Sequence, residues 1–586
     1  MRQYLILAIA ILLSVSIKAQ WNMNTSVNLE VAALPTADMH SITTNDGKTW
    51  IAYYHQNGGN YDMRAQLLDA NGNKLLGPNG ILVGNKPSGS ATFIFNICID
   101  KSNNLVIAYQ DQRNSGTDNA VIYKISTSGT FLWGTDGIVL GQGLAPNPAT
   151  LSNDETIVSW QDNSSNTLVL QKITAGGSTA WTSPIPVTIG SSLTSTGQPV
   201  PNQDGTFNLI FQKRLFGINS YLFSMRYNNN GVPLWNSPVQ LSTEATAVIR
   251  YYSVVAEKDT TYCGFYSSPN SRFNSWVQRI NPDGSLPYGA SGSNFSTATN
   301  SFDPYQMTTN IAIKPGSPYL WSICTMSDPS QTQYGVYVQK FKKSDGSRLL
   351  GTTGQNVYPI SANFDTHTGN LSLINDGPVF MSYDLNYKIY ATRLDSNATF
   401  VWPGNRVEMS STTAGAATPK GRFGFTGLNN NQAVAVWYEN RGTEYRSYAQ
   451  NITPGGLFGL KVTTQGGVPA SINTLGGTLQ MIANVYPASS NQSVLWSIIP
   501  ITGMANINSS GLITAQNDGT VWAKAISVQD STVSDSMLIN ITSQLVQVIG
   551  LNVNTQGGVP AVINTNNGTL QMVATITPSN ASNQAV

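Results

Sequence analysis

Between Asp38 and Leu460 one pattern recurs about eight times: an apolar run ending in an aromatic residue, a polar loop, a second alternating run, and a tight turn followed by Trp, Tyr or Leu. Gly72, Gly129, Gly177, Gly231, Gly284, Gly346, Ala398 and Gly456 hold the turn position, roughly 50 to 60 residues apart. Leu76, Trp133, Trp181, Trp235, Tyr288, Leu350, Trp402 and Leu460 follow four positions later. Turns such as Asp69-Ala70-Asn71-Gly72 and Asn281-Pro282-Asp283-Gly284 supply the Pro, Asx and positive-φ residues that a short hairpin requires. Upstream, runs such as Leu105–Tyr109, Thr156–Trp160, Phe207–Phe211 and Ala433–Trp437 are β-branched, aromatic-rich and of strand length. One strand before and the strands around each turn make a four-stranded unit, and its repetition predicts an all-β, eight-bladed β-propeller. Seven blades is the alternative if the irregular repeat Ser253 to Ser296 is not a blade.

The eighth repeat reaches Gly456 and Leu460 without an outer strand like Trp235-Asn236-Ser237-Pro238-Val239-Gln240-Leu241. The segment Trp21 to Leu29 near the amino terminus matches that outer strand. It is therefore predicted to complete the last blade, so that the first and last stretches share one sheet and no edge stays open.

Residues 1–20 read as a secretory signal, with Arg2 at the start, an apolar stretch from Tyr4 to Val15 and a small-residue exit at Ala19 or Gln20. The apolar stretch is too short to span a bilayer as a helix. A secreted or cell-surface protein, not embedded in the membrane, is expected. A formal net charge of +1 and a charged fraction of 10% provide no basic field for a phosphate backbone, which argues against nucleic acid as the partner. Cys98, Cys263 and Cys324 each lie in a strand-like run and read as small buried hydrophobes, with a Cys263–Cys324 bridge as the alternative.

Tyr109-Gln110-Asp111-Gln112-Arg113 and Trp437-Tyr438-Glu439-Asn440-Arg441 resemble a group of exported bacterial propeller repeats patterned aromatic, x, Asp, x, Arg, then a strand and an Asp/Asn-Gly turn with Trp. Trp160-Gln161-Asp162 lacks the Arg and Phe211-Gln212-Lys213-Arg214 lacks the Asp, so the resemblance implies a fold and no site shared by all blades. From Leu460 the texture changes. Leu460 to Met481 recurs almost intact from Leu551 to Met572, about 90 residues on, the spacing of one sandwich. Gly477-Thr478-Leu479-Gln480-Met481, Pro487, Val494-Leu495-Trp496-Ser497, Ser510 to Ala515 and Gly519-Thr520-Val521 resemble the group 2 bacterial immunoglobulin-like domain, which implies a spacer or adhesion module. The expected organisation is a signal at 1–20, a propeller over 21–459, an immunoglobulin-like domain over 460–543 and a partial second one over 550–586. The second copy stops at Val586, before its core Trp, and is not expected to close a core of its own.

No catalytic constellation emerges. His40, His55 and His367 fall in separate repeats, without the convergence a zinc site needs. Asp100 to Asn104 has the look of a calcium loop but lacks further carboxylates, and reads as a turn. The hairpin Ser126 to Trp133 is similar to the sialidase Asp-box but has no Asp and one residue too many before Trp. No cofactor or metal is expected.

The loops between second and third strands share a face with the blade-to-blade connections, the usual ligand side of a propeller. They supply the candidate ligand residues Asp111, Arg113, Asp162, Arg214, Arg272, Tyr334, Tyr387, Glu439 and Arg441, planar polar groups interleaved with aromatics that suit sugar hydroxyls and ring faces. Against this, Asp111 with Arg113 and Glu439 with Arg441 read as ion pairs fixing their loops. Tyr109, Trp160, Phe211, Tyr383 and Trp437 read as inter-blade core. The leading expectation is a monomeric binding or adhesion protein for an extracellular glycan, another polymer or a surface protein. The alternatives are a propeller-type polysaccharide hydrolase or lyase, with acid and base among Asp111, Asp162, Asp384 and Glu439, and a structural protein–protein adhesin.

Overall fold

Each repeat is built around its turn. At Asp69 to Asn73 the Asp69 carboxylate accepts the amides of Asn71 and Asn73, both at 2.8 Å, and Gly72 closes the hairpin at φ 83°. A computed structural model shows what these hairpins assemble into. It describes the chain except residues 1–20, 22–27, 89–94, 115, 191–192, 215–219, 247–251, 269–271, 299–302, 403–404, 411–420, 426–432, 443, 453–458, 487–490, 529–530, 532, 546 and 580, so the signal segment and Val27 lie outside the described residues. By its internal contacts the chain divides into two units, Met1–Gly456 and Leu457–Val586.

The first unit is a β-propeller. Among the described residues its antiparallel strands form eight four-stranded units: blade 1 over 36–84, blade 2 over 96–142, blade 3 over 143–187, blade 4 over 193–240, blade 5 over 252–294, blade 6 over 305–361, blade 7 over 366–408, and blade 8 over 421–451 with a strand from the amino terminus. Blades 2 and 3 share the long strand Ile138–Thr150, whose first half pairs with Thr117–Ile125 and whose second half pairs with Thr156–Asp162. The irregular repeat at Ser253 is a four-stranded sheet like the others. The first strand of every blade lies against the first strand of the next, and Gly421–Phe425 of blade 8 returns to Thr36–Thr43 of blade 1, so the circle closes.

Apolar cores sit between blades rather than within them. Trp50, Tyr54 and Leu67 of blade 1 pack with Ile107, Tyr109 and Tyr123 of blade 2, and Val158 and Trp160 of blade 3 pack with Val106 and Ile122 of blade 2. Tyr109, Trp160, Phe211 and Trp437 are buried as expected of inter-blade core. Tyr383 is not: it is half-buried, and the equivalent position, in register opposite Tyr390, is held by fully buried Ser382. Side chains alternate along a strand, so Tyr383, one place further on, falls on the opposite face near the strand's end. The three cysteines are free; Cys263 and Cys324 are fully buried, and Cys98 Sγ lies 3.4 Å from Thr150 Oγ1. Asp100 anchors a turn, accepting the amides of Ser102 and Asn104 at 2.9 Å and pairing with Lys124 Nζ at 2.7 Å.

Closure of the ring uses the amino terminus. Leu29–Ala32 adds to the outer edge of blade 8, with Leu29 opposite Ala449, Glu30 opposite Tyr448 and Ala32 opposite Ser447. Trp21 takes the place of a turn aromatic. Trp133 donates its indole N–H to Ala175 O and Trp235 to Pro282 O, in each case the carbonyl two residues before the next blade's turn glycine. Trp21 does the same to Ala70 O at 3.0 Å, and its ring lies over Gly72, where a Cβ would stand 3.2 Å from the indole. Leu460, which follows the eighth turn, instead sits in the core of the second unit.

In that second unit two four-stranded sheets share one core. Gly459–Thr464, Thr478–Tyr486, Met504–Ile507 and Leu512–Asn517 form one sheet, and Ser471–Ile472, Val494–Pro500, Gly519–Ser527 and Ser534–Ile541 the other. Val462, Met481 and Ile513 of the first meet Val521, Ala523 and Ile539 of the second. Beyond them, Gly550–Thr555 pairs with Met572–Thr577 as a two-stranded hairpin.

Candidate ligand-binding face

The loops joining second and third strands do stand beside the connections that enter each blade. Gln56 N donates to Pro35 O at 3.0 Å, Gln112 N to Pro87 O at 2.6 Å and Leu385 N to Asn363 O at 2.9 Å. One end of the propeller therefore gathers the candidate residues, though most of the charged ones are turned inward.

Arg113 reaches Asp111 through Nε at 2.9 Å and Nη2 at 2.7 Å, and also donates to Tyr123 Oη at 2.9 Å and Asp136 O at 2.7 Å. Burial works against the guanidinium charge, but Asp111 and Tyr123 outweigh it and hold Arg113 above its ordinary pKa. Glu439 is fully buried and accepts from Trp437 Nε1 at 3.0 Å, Ser410 Oγ at 3.1 Å and Arg441 Nη2 at 3.0 Å. Arg441 also donates to Asn28 Oδ1 at 2.5 Å and covers the Tyr448 ring at 3.8 Å, so this pair helps bind the amino-terminal segment to blade 8.

Arg272, also buried, donates to Asn274 Oδ1 and to the carbonyls of Ala298, Asp303 and Pro304, all between 2.8 and 3.2 Å. Asp162 caps its own turn, accepting Ser164 Oγ and Ser165 Oγ at 2.6 Å and Ser165 N at 2.8 Å. Partial burial acts to raise its pKa, but these hydrogen bonds prevail and hold it below the usual carboxylate value. The backbone of Arg214 pairs with Ser220, and its side chain lies outside the described residues.

The aromatic candidates are placed differently. On blades 5 to 8 the same loop ends carry half-buried rings in contact. Tyr266 meets Phe273 at 5.8 Å and Phe273 meets Tyr305 at 5.9 Å, both edge-on. Tyr334 lies 4.0 Å from Phe364, Tyr383 stacks on Tyr387 at 6.3 Å, and Tyr438 meets Tyr445 edge-on at 5.0 Å. Of these, Tyr334 and Tyr387 are among the ligand candidates that the sequence marks; Phe364 sits in a connection, with no periodic signal to mark it.

A concavity of about 360 Å³ lies along the first strands of blades 1 to 4. His40, Asn96, Asn147 and Gln198 occupy one register there, opposite Ala52, Ala108, Ser159 and Ile210. Asn96 Nδ2 donates to Pro146 O at 2.9 Å and Asn147 Nδ2 to Gly197 O at 3.1 Å, so these amides lace one blade to the next. Among the described residues no group of three or more His, Cys, Asp or Glu could hold a metal ion, and no helix is long and apolar enough to cross a membrane.

No family model matches the chain, and no curated protein matches it. Solved structures similar to it include the Dos1 propeller (TM-score 0.40, 9% identity, covering 72% of this chain and 93% of that one) and the polysaccharide lyase Uly1 (0.38, 11%, 75% and 94%). The α-L-arabinofuranosidase Arb93A of Fusarium graminearum is similar as well (0.32, 10%, 55% and 99%). Each of these likenesses lies below a TM-score of 0.5.

Proposed function

We propose that this chain is an exported, surface-associated binding protein whose propeller holds an extracellular glycan on its loop face, with the following sandwich and partial repeat acting as immunoglobulin-like spacers. One contrast on that face carries the reading: the carboxylates are spent on structure while the rings stay half-open. Asp111 and Glu439 are buried in ion pairs, and Asp162 and Asp384 cap their own turns. A hydrolase needs a paired acid and base facing one cleft. Rings on blades 5 to 8 offer instead large apolar faces with hydroxyl edges, the surface that a sugar ring stacks on.

The test is retention of the full chain on insoluble and soluble polysaccharides, with the supernatant assayed for new reducing ends and unsaturated sugars. Retention without product supports binding. Release of reducing ends or of unsaturated products identifies a hydrolase or lyase, and no retention on any polysaccharide overturns the glycan reading in favour of a protein partner.

A further inference from the structure

The loop face is not uniform, and one part of it is built at a conformational cost. Between blades 6 and 7, Tyr334, Phe364, Tyr383 and Tyr387 lie together. Tyr334 packs on Phe364 at 4.0 Å with planes tilted 46°, Tyr383 and Tyr387 are nearly parallel at 6°, and burial holds the Tyr383 hydroxyl above its ordinary pKa, with Tyr387 and Tyr334 near enough to add to the rise. Leu385, 58% exposed, stands beside them.

Two of these rings are carried on backbone that bulky side chains rarely adopt: Phe364 at φ 63° and Tyr387 at φ 57°. Asn or Gly would turn the chain there without strain. Strained positions persist where the surroundings over-determine them, and they gather at ligand sites. Here the surroundings do so. Phe364 N donates to Ser361 O at 3.1 Å, Leu385 N to Asn363 O at 2.9 Å and Tyr387 N to Asp384 O at 2.9 Å. The Asp384 carboxylate accepts Asn386 N at 2.9 Å, Lys388 N at 3.0 Å and Tyr390 Oη at 3.1 Å. Ahead of Tyr334, the Asp328 carboxylate accepts the amides of Thr332 at 2.8 Å and Gln333 at 2.6 Å. The rings are thus fixed before any ligand arrives, which lowers the ordering cost of binding.

We propose that Tyr334, Phe364, Tyr383 and Tyr387 form a subsite that stacks a neutral glycan chain in preference to an anionic one. This rests on the glycan-binding reading above. The preference follows from the rim. Asp328 and Asp384 flank the patch, Lys388 lies 3.5 Å from Glu408, and hydrogen bonds led by the Ser330 hydroxyl hold Asp328 down to about 2, ionised at any working pH. Uronate or sulfate groups would meet like charge there, a repulsive element of the kind that sets specificity.

Affinity electrophoresis of the full chain tests this in gels containing neutral xylan, arabinan, β-glucan or mannan, and in gels containing alginate or polygalacturonate. Expected are retardation by at least one neutral polymer, an affinity loss of about tenfold or more in Tyr334→Ala and in Tyr387→Ala, and rescue by Tyr387→Phe. Hydrogen exchange of 377–393 tells loss of the rings from loss of the fold. Unchanged neutral-glycan affinity in both alanine variants overturns this subsite and leaves glycan binding elsewhere standing. Equal or stronger retardation by the anionic polymers overturns the preference, and no retardation by any polymer overturns the subsite together with the reading it rests on.

Discussion

Two short sets of strands in this molecule differ in what pairs with and covers them. Blade 8 has only three strands in its own repeat, and it becomes a full sheet because Leu29–Ala32 supplies the fourth. The terminal hairpin, Gly550–Thr555 with Met572–Thr577, repeats the local structure of the first copy and receives no further strand among the described residues. Locally the copies agree. Thr464 bonds to Val468 O and Thr555 to Val559 O, and Gly466 and Gly557 sit at φ 68° and 71°. Their burial diverges. Leu460, Val462 and Met481 are at most 6% exposed, while Leu551, Val553 and Met572 are 44 to 54% exposed. Turn chemistry and strand pairing are therefore written in the segment itself. Burial comes from the partner strands, and a two-stranded hairpin alone is marginal in water.

The widest gap between the covered strands and the exposed hairpin should appear in core truncations. Met481→Ala should cost the sandwich about 2–5 kcal/mol, whereas the counterpart Met572→Ala should stay within about 0.5 kcal/mol. Hydrogen exchange over 478–486 and 572–577 in each variant would measure both, and a comparable cost at Met572 would mean that the hairpin is covered. A smaller contrast lies within blade 8 itself. Glu439→Ala leaves Arg441 and Ser410 without their buried partner and should cost about 3–5 kcal/mol. Glu30→Ala removes an ion pair to Arg446 at 2.9 Å whose partners are about one-third exposed, and should cost no more than about 1 kcal/mol. Denaturant midpoints of the two variants separate these outcomes.

Much of the ring was legible in the sequence because its signals are local. A Gly turn with an aromatic four residues later identifies both the hairpin and the next blade's docking point, as Trp133 on Gly177 and Trp235 on Gly284 show. The pairing of Asp111 with Arg113 was legible too, since residues two apart lie on one face of a strand. Other features were hidden. Tyr383 reads as core because an aromatic ends its apolar run, but its register is one residue off and buried Ser382 fills that position. Phe364 and Tyr387 carry no turn residue that would announce a positive φ, and the polar register of His40, Asn96, Asn147 and Gln198 emerges only once the first strands are brought together.

The central claim is that the amino-terminal segment completes the ring, and the direct test is hydrogen exchange of the full chain against a chain that starts after residue 33. Loss of Trp21, Val31 and Ala32 from the core between blades 8 and 1 should strip protection from 445–451, the strand that pairs with Leu29–Ala32, and lower the melting temperature. Unchanged protection over 445–451 in the shortened chain would contradict the account.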